Sequence, residues 1–359
     1  MNKKNVLIIT PSLNPEDNIS GISSVTRLLL EYNKEINYIP FLQGKKDTEN
    51  RNLGWLLKQM MTPFRLLKCL SDNSIDIVHF NIGFEPFSLF RDMIIYYLLI
   101  VKSYPVILHI HGGRFVKTKP ANKLLKLIID YLLRHANQIL VLSELEGKSL
   151  SDLYNVQQGC IDILSNAVMP STISFSDKAY EAKSSILYLG RIDKNKGLLE
   201  ILESLTELNT LGEDFEFNLC GVGSDRDWFV EECRKRIGDK FIDRGLVYGN
   251  EKLEILKRSQ VFLLPSYFEG LPMALLESMN NLVVPVVTPV GSMPDVVKSG
   301  ENGFLVTSTS DITETLLKLI KDRTLLRKLS VAAKETIDQS YSLDSYLKKM
   351  NDLYMRLKK

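Results

Sequence analysis

Residues 261–277 read VFLLPSYFEGLPMALLE. Val261–Leu264 is a short, wholly apolar run, as expected of a strand buried on both faces. Pro265–Leu271 interrupts it with turn residues, and a helical pattern then opens. Pro272 suits the first turn of that helix, where a missing N–H costs nothing. Strand, loop and helix in this order make half of a βαβ unit, and the order recurs outward in both directions. Downstream lies Val284–Val287; upstream lie Phe241–Leu246, Phe215–Cys220 and Ser185–Leu189, with helical stretches between. Alternation at this spacing predicts a parallel sheet with crossover helices.

The N-terminal half repeats the pattern. Strands are expected at Val6–Thr10, Tyr38–Leu42, Asp76–Asn81, Val106–His109, Gln138–Leu142 and Ile161–Leu164. Helices are expected at Ile22–Tyr32, Leu53–Leu70 (kinked at Pro63), Phe87–Val101 and Ala121–Arg134. Asn166–Lys183, rich in Ser and Ala and without clear period, reads as a linker. The reading is an α/β protein of two Rossmann-like domains facing across a cleft. Residues 1–165 form the first, 166–183 the linker and 184–340 the second. The final helix, Leu343–Leu357 within 341–359, packs back on the first domain. In open parallel sheets ligands bind at the carboxyl ends of strands, so chemistry is sought in the loops that follow them.

Composition excludes several classes. The chain has 359 residues, 45% hydrophobic and 25% charged, which is ordinary globular usage and argues against wholesale disorder. Four cysteines with no C-x-x-C pair argue against a disulfide scaffold or a zinc knuckle. A net charge of +2 argues against a strongly basic nucleic-acid-coating protein, and no nucleic-acid partner is expected. The apolar run in MNKKNVLIIT stops at Pro11, too short for a secretory core. The longest apolar run, Met93–Val101, is about half of the ~20 residues needed to span a bilayer. A cytoplasmic protein is expected, meeting a membrane only from its surface. Charge is uneven: residues 1–165 hold 19 basic and 15 acidic residues, residues 166–359 hold 26 and 28. Nothing acidic lies between Asp92 and Asp130, a stretch with Lys102, Arg114, Lys117, Lys119, Lys123 and Lys126. Such a run is either a solvated face or an attractor of an anionic partner.

Glu269 and Glu277 are eight residues apart, about 12 Å along the axis if the segment is mostly helical. The helix N-terminus between them offers N–H groups and a positive dipole end. Carboxylates on either side of a phosphate site suit a ligand with a diphosphate in its middle and hydroxyls at both ends, as in a sugar nucleotide. Upstream, GRIDKNKG (Gly190–Gly197) follows the first strand of the second domain. Its Arg191 and Lys196 could neutralise a diphosphate leaving group.

GRIDKNKG, PSYFEGLPMALLE and the following Val286–Thr288, Gly291, Pro294–Asp295 and Gly303 resemble the retaining glycosyltransferases of family 4, which have the GT-B fold and an E-x7-E motif. The resemblance covers about Ser185–Val306. In the first half it rests on Gly21, His111–Gly112 and Ser143–Glu144. It implies that Arg191 and Lys196 bind the donor diphosphate, Glu269 the transferred sugar and Glu277 the ribose. It further implies that backbone N–H groups of Gly270 and Leu271 face sugar or phosphate. Gly245–Val247 would offer backbone atoms to the base. Gly21 would let its loop approach the phosphate closely. His111 would sit near the anomeric side and 6-position of the sugar. No cofactor or metal is implied; the donor is a substrate, a UDP-sugar rather than a GDP-sugar. The acceptor is a saccharide or lipid-linked, as in bacterial surface polysaccharide synthesis. Two departures stand out: Ser20–Gly21 replaces a frequent glycine pair, and Asp295 replaces a glutamate.

His109 and His111 share one face of a strand end. His109 reads as a core histidine, His79 as structural and His111 as functional. Gly221–Val222–Gly223 looks like part of a dinucleotide fingerprint, but Arg226 stands where its third glycine belongs. Asp225–Arg226–Asp227 matches a D-x-D metal motif, yet acids are common at helix starts. Leu56–Leu67, with Lys58, Arg65 and Lys68, reads equally as a membrane-surface helix or a domain helix with a wet face. Two alternatives share the architecture: a nucleotide-sugar epimerase or sugar phosphorylase, and a non-catalytic two-domain sugar-binding protein.

Overall fold

The computed structural model describes residues 3–18, 20–44, 49, 52–178, 180 and 183–357. The chain divides into two compact units, Met1–Asn166 with Leu343–Lys359, and Ala167–Ser342.

The first unit runs β1 (Asn5–Thr10), α1 (Gly21–Tyr32), β2 (Asn37–Leu42), α2 (Leu53–Met60), α3 (Thr62–Asp72), β3 (Ile77–Ile82), α4 (Pro86–Val101), β4 (Val106–Ile110), α5 (Lys123–His135), β5 (Gln138–Val141), α6 (Glu144–Tyr154) and β6 (Ile161–Ile163). Its sheet has the order β2-β1-β3-β4-β5-β6, all parallel. Leu7, Ile9, Phe80, Leu108, Ile110 and Val141 point to one face, where α3, α4 and α5 supply Leu66, Tyr96, Leu99, Ile129 and Leu132 to a single core. The single kinked helix expected over Leu53–Leu70 is two helices. Met61 separates them, and Pro63 falls in the first turn of α3, where its ring displaces no hydrogen bond.

The second unit runs β7 (Ser184–Leu189), α7 (Leu198–Thr210), β8 (Phe215–Cys220), α8 (Arg226–Ile237), β9 (Phe241–Gly245), α9 (Gly249–Arg258), β10 (Val261–Leu264), α10 (Met273–Asn280), β11 (Val284–Val287), α11 (Met293–Val296), β12 (Phe304–Leu305), α12 (Thr309–Lys321) and α13 (Arg323–Ser340). Its parallel sheet has the order β12-β11-β10-β7-β8-β9. The expected linker is largely part of this unit. Ser171 donates to Asn281 (2.6 Å), and Asn280 donates to the Met169 carbonyl (2.7 Å). Lys178 buries its ammonium against the carbonyls of Leu256 and Ser259 at the end of α9. Burial lowers its pKa to about 7, while the helix's negative end favours the charge.

The last helix, α14 (Leu343–Arg356), belongs to the first unit. Lys4 donates to the carbonyls of Tyr354 (2.7 Å) and Leu357 (2.6 Å), and Asn33 to Asn351 (2.8 Å). The Tyr354 hydroxyl pairs with His79 Nδ1 at 2.6 Å. Among the described residues no helix is long and apolar enough to cross a membrane.

Candidate active site

In the second sheet the strand order reverses between β7 and β10, and ligands of open parallel sheets bind at such a reversal. The loops after these two strands carry Gly190–Gly197 and Pro265–Pro272. They are locked together. Tyr267 N–H donates to the Asn195 carbonyl (2.9 Å), and Gly197, at φ +75°, lies so close to Pro265 that a Cβ would stand 2.1 Å from its carbonyl oxygen. This junction brings Lys196 Nζ to 2.6 Å from Glu269 Oε1, which also accepts from Ser266 Oγ at 2.8 Å. The Glu269 side chain is 12% exposed. Behind it, Gly291 at φ +60° leaves no space for a side chain: a Cβ would lie 2.3 Å from the carbonyls of Glu269 and Gly270. Ser292 N–H donates to the Gly270 carbonyl (2.8 Å), closing the turn from the rear. Arg191 is exposed on the β7 loop, its carbonyl accepting from the Tyr188 hydroxyl.

Helix α10 starts at Met273, with Pro272 as its cap rather than in its first turn. Glu269, Gly270 and Leu271 therefore precede the helix, and only Glu277 lies on it. Met273 and Ala274 head its first turn, while the N–H groups of Leu275 and Leu276 bond the Pro272 carbonyl (3.2 and 3.4 Å). The separation expected from a continuous helix between the glutamates does not apply. Glu277 Oε1 pairs with Lys252 Nζ at 2.8 Å, from α9. Gly245 ends β9 with both backbone groups engaged: its N–H on Asp243 (3.1 Å), its carbonyl by Gly221 N–H (2.7 Å). Val247 is buried.

In the first unit, His111 follows β4. Asn81 fixes its tautomer: Asn81 Nδ2 donates to the Ile9 carbonyl (2.9 Å), which turns Oδ1 toward His111 Nε2 at 2.7 Å. Nε2 must carry the proton, leaving Nδ1 as a lone-pair acceptor. The His109 ring lies 3.9 Å from the His111 ring, and His109 Nδ1 pairs with His79 Nε2 at 3.1 Å. Burial pushes His79 and His111 down to about 3 and His109 well below its ordinary value. All three are neutral at physiological pH. Gly21 is not a loop residue. It opens α1 with helical backbone, behind the capping Ser20, so its lack of a side chain is not a backbone requirement.

The two look-alike motifs have structural explanations. A Cβ on Gly221 would meet the Gly190 carbonyl at 1.8 Å, and one on Gly223 the Ile192 carbonyl at 2.0 Å. These glycines let the β8 loop lie on the β7 loop. Asp225 accepts from Lys194 N–H (3.1 Å), while Asp227 is fully exposed. Among the described residues no group of three or more potential metal ligands is found. Sequence reasoning missed Lys252, Ser266 and Asn81. Lys252 ends the stretch FIDRGLVYGNEK (residues 241–252), where a lone lysine carries no pattern.

These two parallel six-stranded units define the GT-B fold. Anabaena HepE in complex with UDP and glucose has the same fold, with TM-score 0.76 at 12% identity, covering 98% of this chain and 99% of that one. Two family models match side by side: Glycosyltransferase Family 4 over residues 34–171 and Glycosyl transferases group 1 over residues 171–336. The glycogen synthase of Mycobacterium tuberculosis is 19% identical over 236 residues, 64% of this chain and 56% of that protein. The UDP-Gal:alpha-D-GlcNAc-diphosphoundecaprenol alpha-1,3-galactosyltransferase of Escherichia coli is 26% identical over 325 residues, 85% of this chain and 81% of that protein. The chain's matches span about half the length of several curated relatives, 56% for that glycogen synthase and 47% for an alpha-maltose-1-phosphate synthase. These relatives are glycosyltransferases, and they give the epimerase alternative no support.

Proposed function

We propose that this chain is a retaining, metal-independent glycosyltransferase that moves a sugar from a UDP-sugar to a saccharide or lipid-linked acceptor. The observation that carries the reading is the Lys196–Glu269 pair at the sheet's reversal point, with Glu277 one turn into α10. Arg191 and Lys196 take the donor diphosphate, the N-terminus of α10 adds dipole, and together they stabilise the leaving charge. Lys196 already bonds a carboxylate, so the incoming phosphate exchanges one anionic partner for another at small desolvation cost. That exchange frees Glu269 to accept from sugar hydroxyls. Glu277, steadied by Lys252, accepts from the ribose hydroxyls.

The first unit receives the acceptor. His111 is neutral and protonated on Nε2, so Nδ1 accepts a hydrogen bond from a sugar hydroxyl; it neither donates a proton nor carries charge. The acceptor's proton passes to the departing phosphate, which leaves from the face that the acceptor enters. The Escherichia coli relative acts on a diphosphoundecaprenol acceptor, and this supports a lipid-linked acceptor met at the inner face of the membrane. The test is a thermal-shift screen with UDP-, GDP- and ADP-sugars, since a bound donor raises the melting temperature by mass action. Anomeric analysis of the transferred sugar follows. A shift with UDP-sugar and a product of unchanged anomeric configuration are expected. No shift with any nucleotide sugar, or an inverted product, overturns the reading.

A further inference from the structure

We infer that the outer face of α3, α4 and α5 is a docking surface for an anionic lipid bilayer. Helix α4 exposes five residues, Phe87, Phe90, Ile94, Tyr97 and Val101, each between 43% and 70% exposed. Their spacing is three, four, three and four, so they form one stripe along four turns of the helix, and no polar side chain of α4 is exposed among them. A water-facing helix shows the opposite pattern, with charges on its outer stripe. The stripe continues sideways. α5 lies beside α4, with the Tyr97 and Tyr131 rings 6.2 Å apart, and exposes Leu124 and Leu127. α3 lies on the other side and exposes Phe64 and Leu67. A contiguous apolar patch of this extent on a soluble face marks a binding surface.

Charge decides the occupant. The apolar stripes are bordered by Arg65 and Lys68 on α3 and by Lys123, Lys126 and Arg134 on α5, all exposed. A second copy docking face to face through a two-fold axis would set one cation-bordered flank against another, an arrangement that interfaces avoid. An anionic bilayer satisfies both features. Phe, Tyr, Ile and Leu enter the boundary between headgroups and acyl chains, while Lys and Arg stems lie along the surface and present charge to phosphate. This surface differs from the basic loop after β4, where Lys117 and Lys119 lie, and it makes α4 the centre of contact. Its purpose, bringing a lipid-linked acceptor to the strand ends that carry His111, rests on the transferase reading; the binding itself does not.

The experiment is sedimentation of the full chain with phosphatidylglycerol-rich vesicles at low and high salt, beside pure phosphatidylcholine vesicles. Wild type is expected to sediment with the anionic vesicles and to be partly released by salt. Phe90→Ser with Ile94→Ser should weaken binding by about tenfold or more at either salt. Lys123→Glu with Lys126→Glu should weaken it chiefly at low salt. Both variants should melt as wild type and keep the UDP-sugar shift, because these side chains face away from the core. Wild type that ignores anionic vesicles at low salt overturns the proposal. So does binding undiminished by either pair of substitutions, or a wild-type dimer that Phe90→Ser with Ile94→Ser turns into monomer without any vesicle binding. A retained donor shift with no vesicle binding removes the membrane face alone, whereas vesicle binding without any donor shift removes the transferase reading alone.

Discussion

Replacing Gly197 by alanine tests the junction that sets Lys196 beside Glu269. Gly197 has φ +75°, and its Cβ would stand 2.1 Å from the Pro265 carbonyl oxygen, where real Cβ contacts stay beyond 3.0 Å. The two loops must therefore part by about 0.9 Å, from 2.1 to 3.0 Å. Gly212, on the turn after α7, is the control: its φ is +76° and nothing lies within 4 Å of its Cβ position. Gly212→Ala carries only the left-handed backbone cost, about 1–2 kcal/mol. Gly197→Ala adds an overpacking cost of about 1–3 kcal/mol, for a total of about 2–5 kcal/mol. At about 2–4 °C per kcal/mol for a unit of this size, Gly212→Ala lowers the melting temperature by about 2–8 °C and Gly197→Ala by about 4–20 °C. Turnover separates them further. A shift near 1 Å in a positioning loop costs about a hundredfold, so Gly197→Ala should lose that much while Gly212→Ala stays near wild type. Melting curves and initial rates on the same preparations decide the matter. Equal melting temperatures for the two variants, or wild-type turnover in Gly197→Ala, would refute the argument that this contact positions Lys196.

Arg191→Ala and Lys196→Ala should each lower turnover by about a hundredfold or more, with folding intact and with wild-type activity persisting in excess chelator. Metal-reversible loss on chelation would instead promote Asp225 and Asp227 to ligands. Glu277→Ala and Lys252→Met should both weaken binding of free UDP, whereas Glu269→Ala should spare it and damage transfer; calorimetry with UDP alone reads the difference, and equal loss in all three would misplace the roles. His79, His109 and His111 have pKa values depressed by burial, so their contribution to stability is complete above about pH 6.5 and is lost progressively as pH falls below it, for His79 and His111 down to about 3. Each adds a slope of up to about 1.4 kcal/mol per pH unit in that window, and His79→Gln should reduce the combined slope by about a third in denaturation curves at pH 7 and pH 5. An unchanged slope would mean that these rings are wetter than their packing indicates.

The strands were legible because both sheets are parallel and covered on both faces, so Leu7–Ile9, Val261–Leu264 and Val284–Val287 are unbroken apolar runs. Helix α6 was not, since Glu144–Tyr154 turns only Glu146, Gly147 and Leu150 inward and shows no apolar stripe. Two-residue β12 is too short to show a period. The site divides along a similar line. Glu269, Lys196 and Arg191 could be found because they sit in loops that follow recognisable strands, and a loop at a strand's carboxyl end is where such chemistry belongs. What could not be read is what joins those loops. Lys252 reaches Glu277 across 25 residues, and Asn81 reaches His111 across 30, through the order of strands and helices rather than any local spacing. Gly221 and Gly223 show why spacing misleads: they mimic a phosphate-binding fingerprint, yet the space left by their missing side chains is filled by the carbonyls of Gly190 and Ile192. Glycines that bring two backbones together and glycines that admit a ligand have the same signature in one dimension. Gly197 is of the first kind as well, its missing side chain replaced by the Pro265 carbonyl where the β7 loop docks on the β10 loop. What marks the site is the strand order, which reverses between β7 and β10.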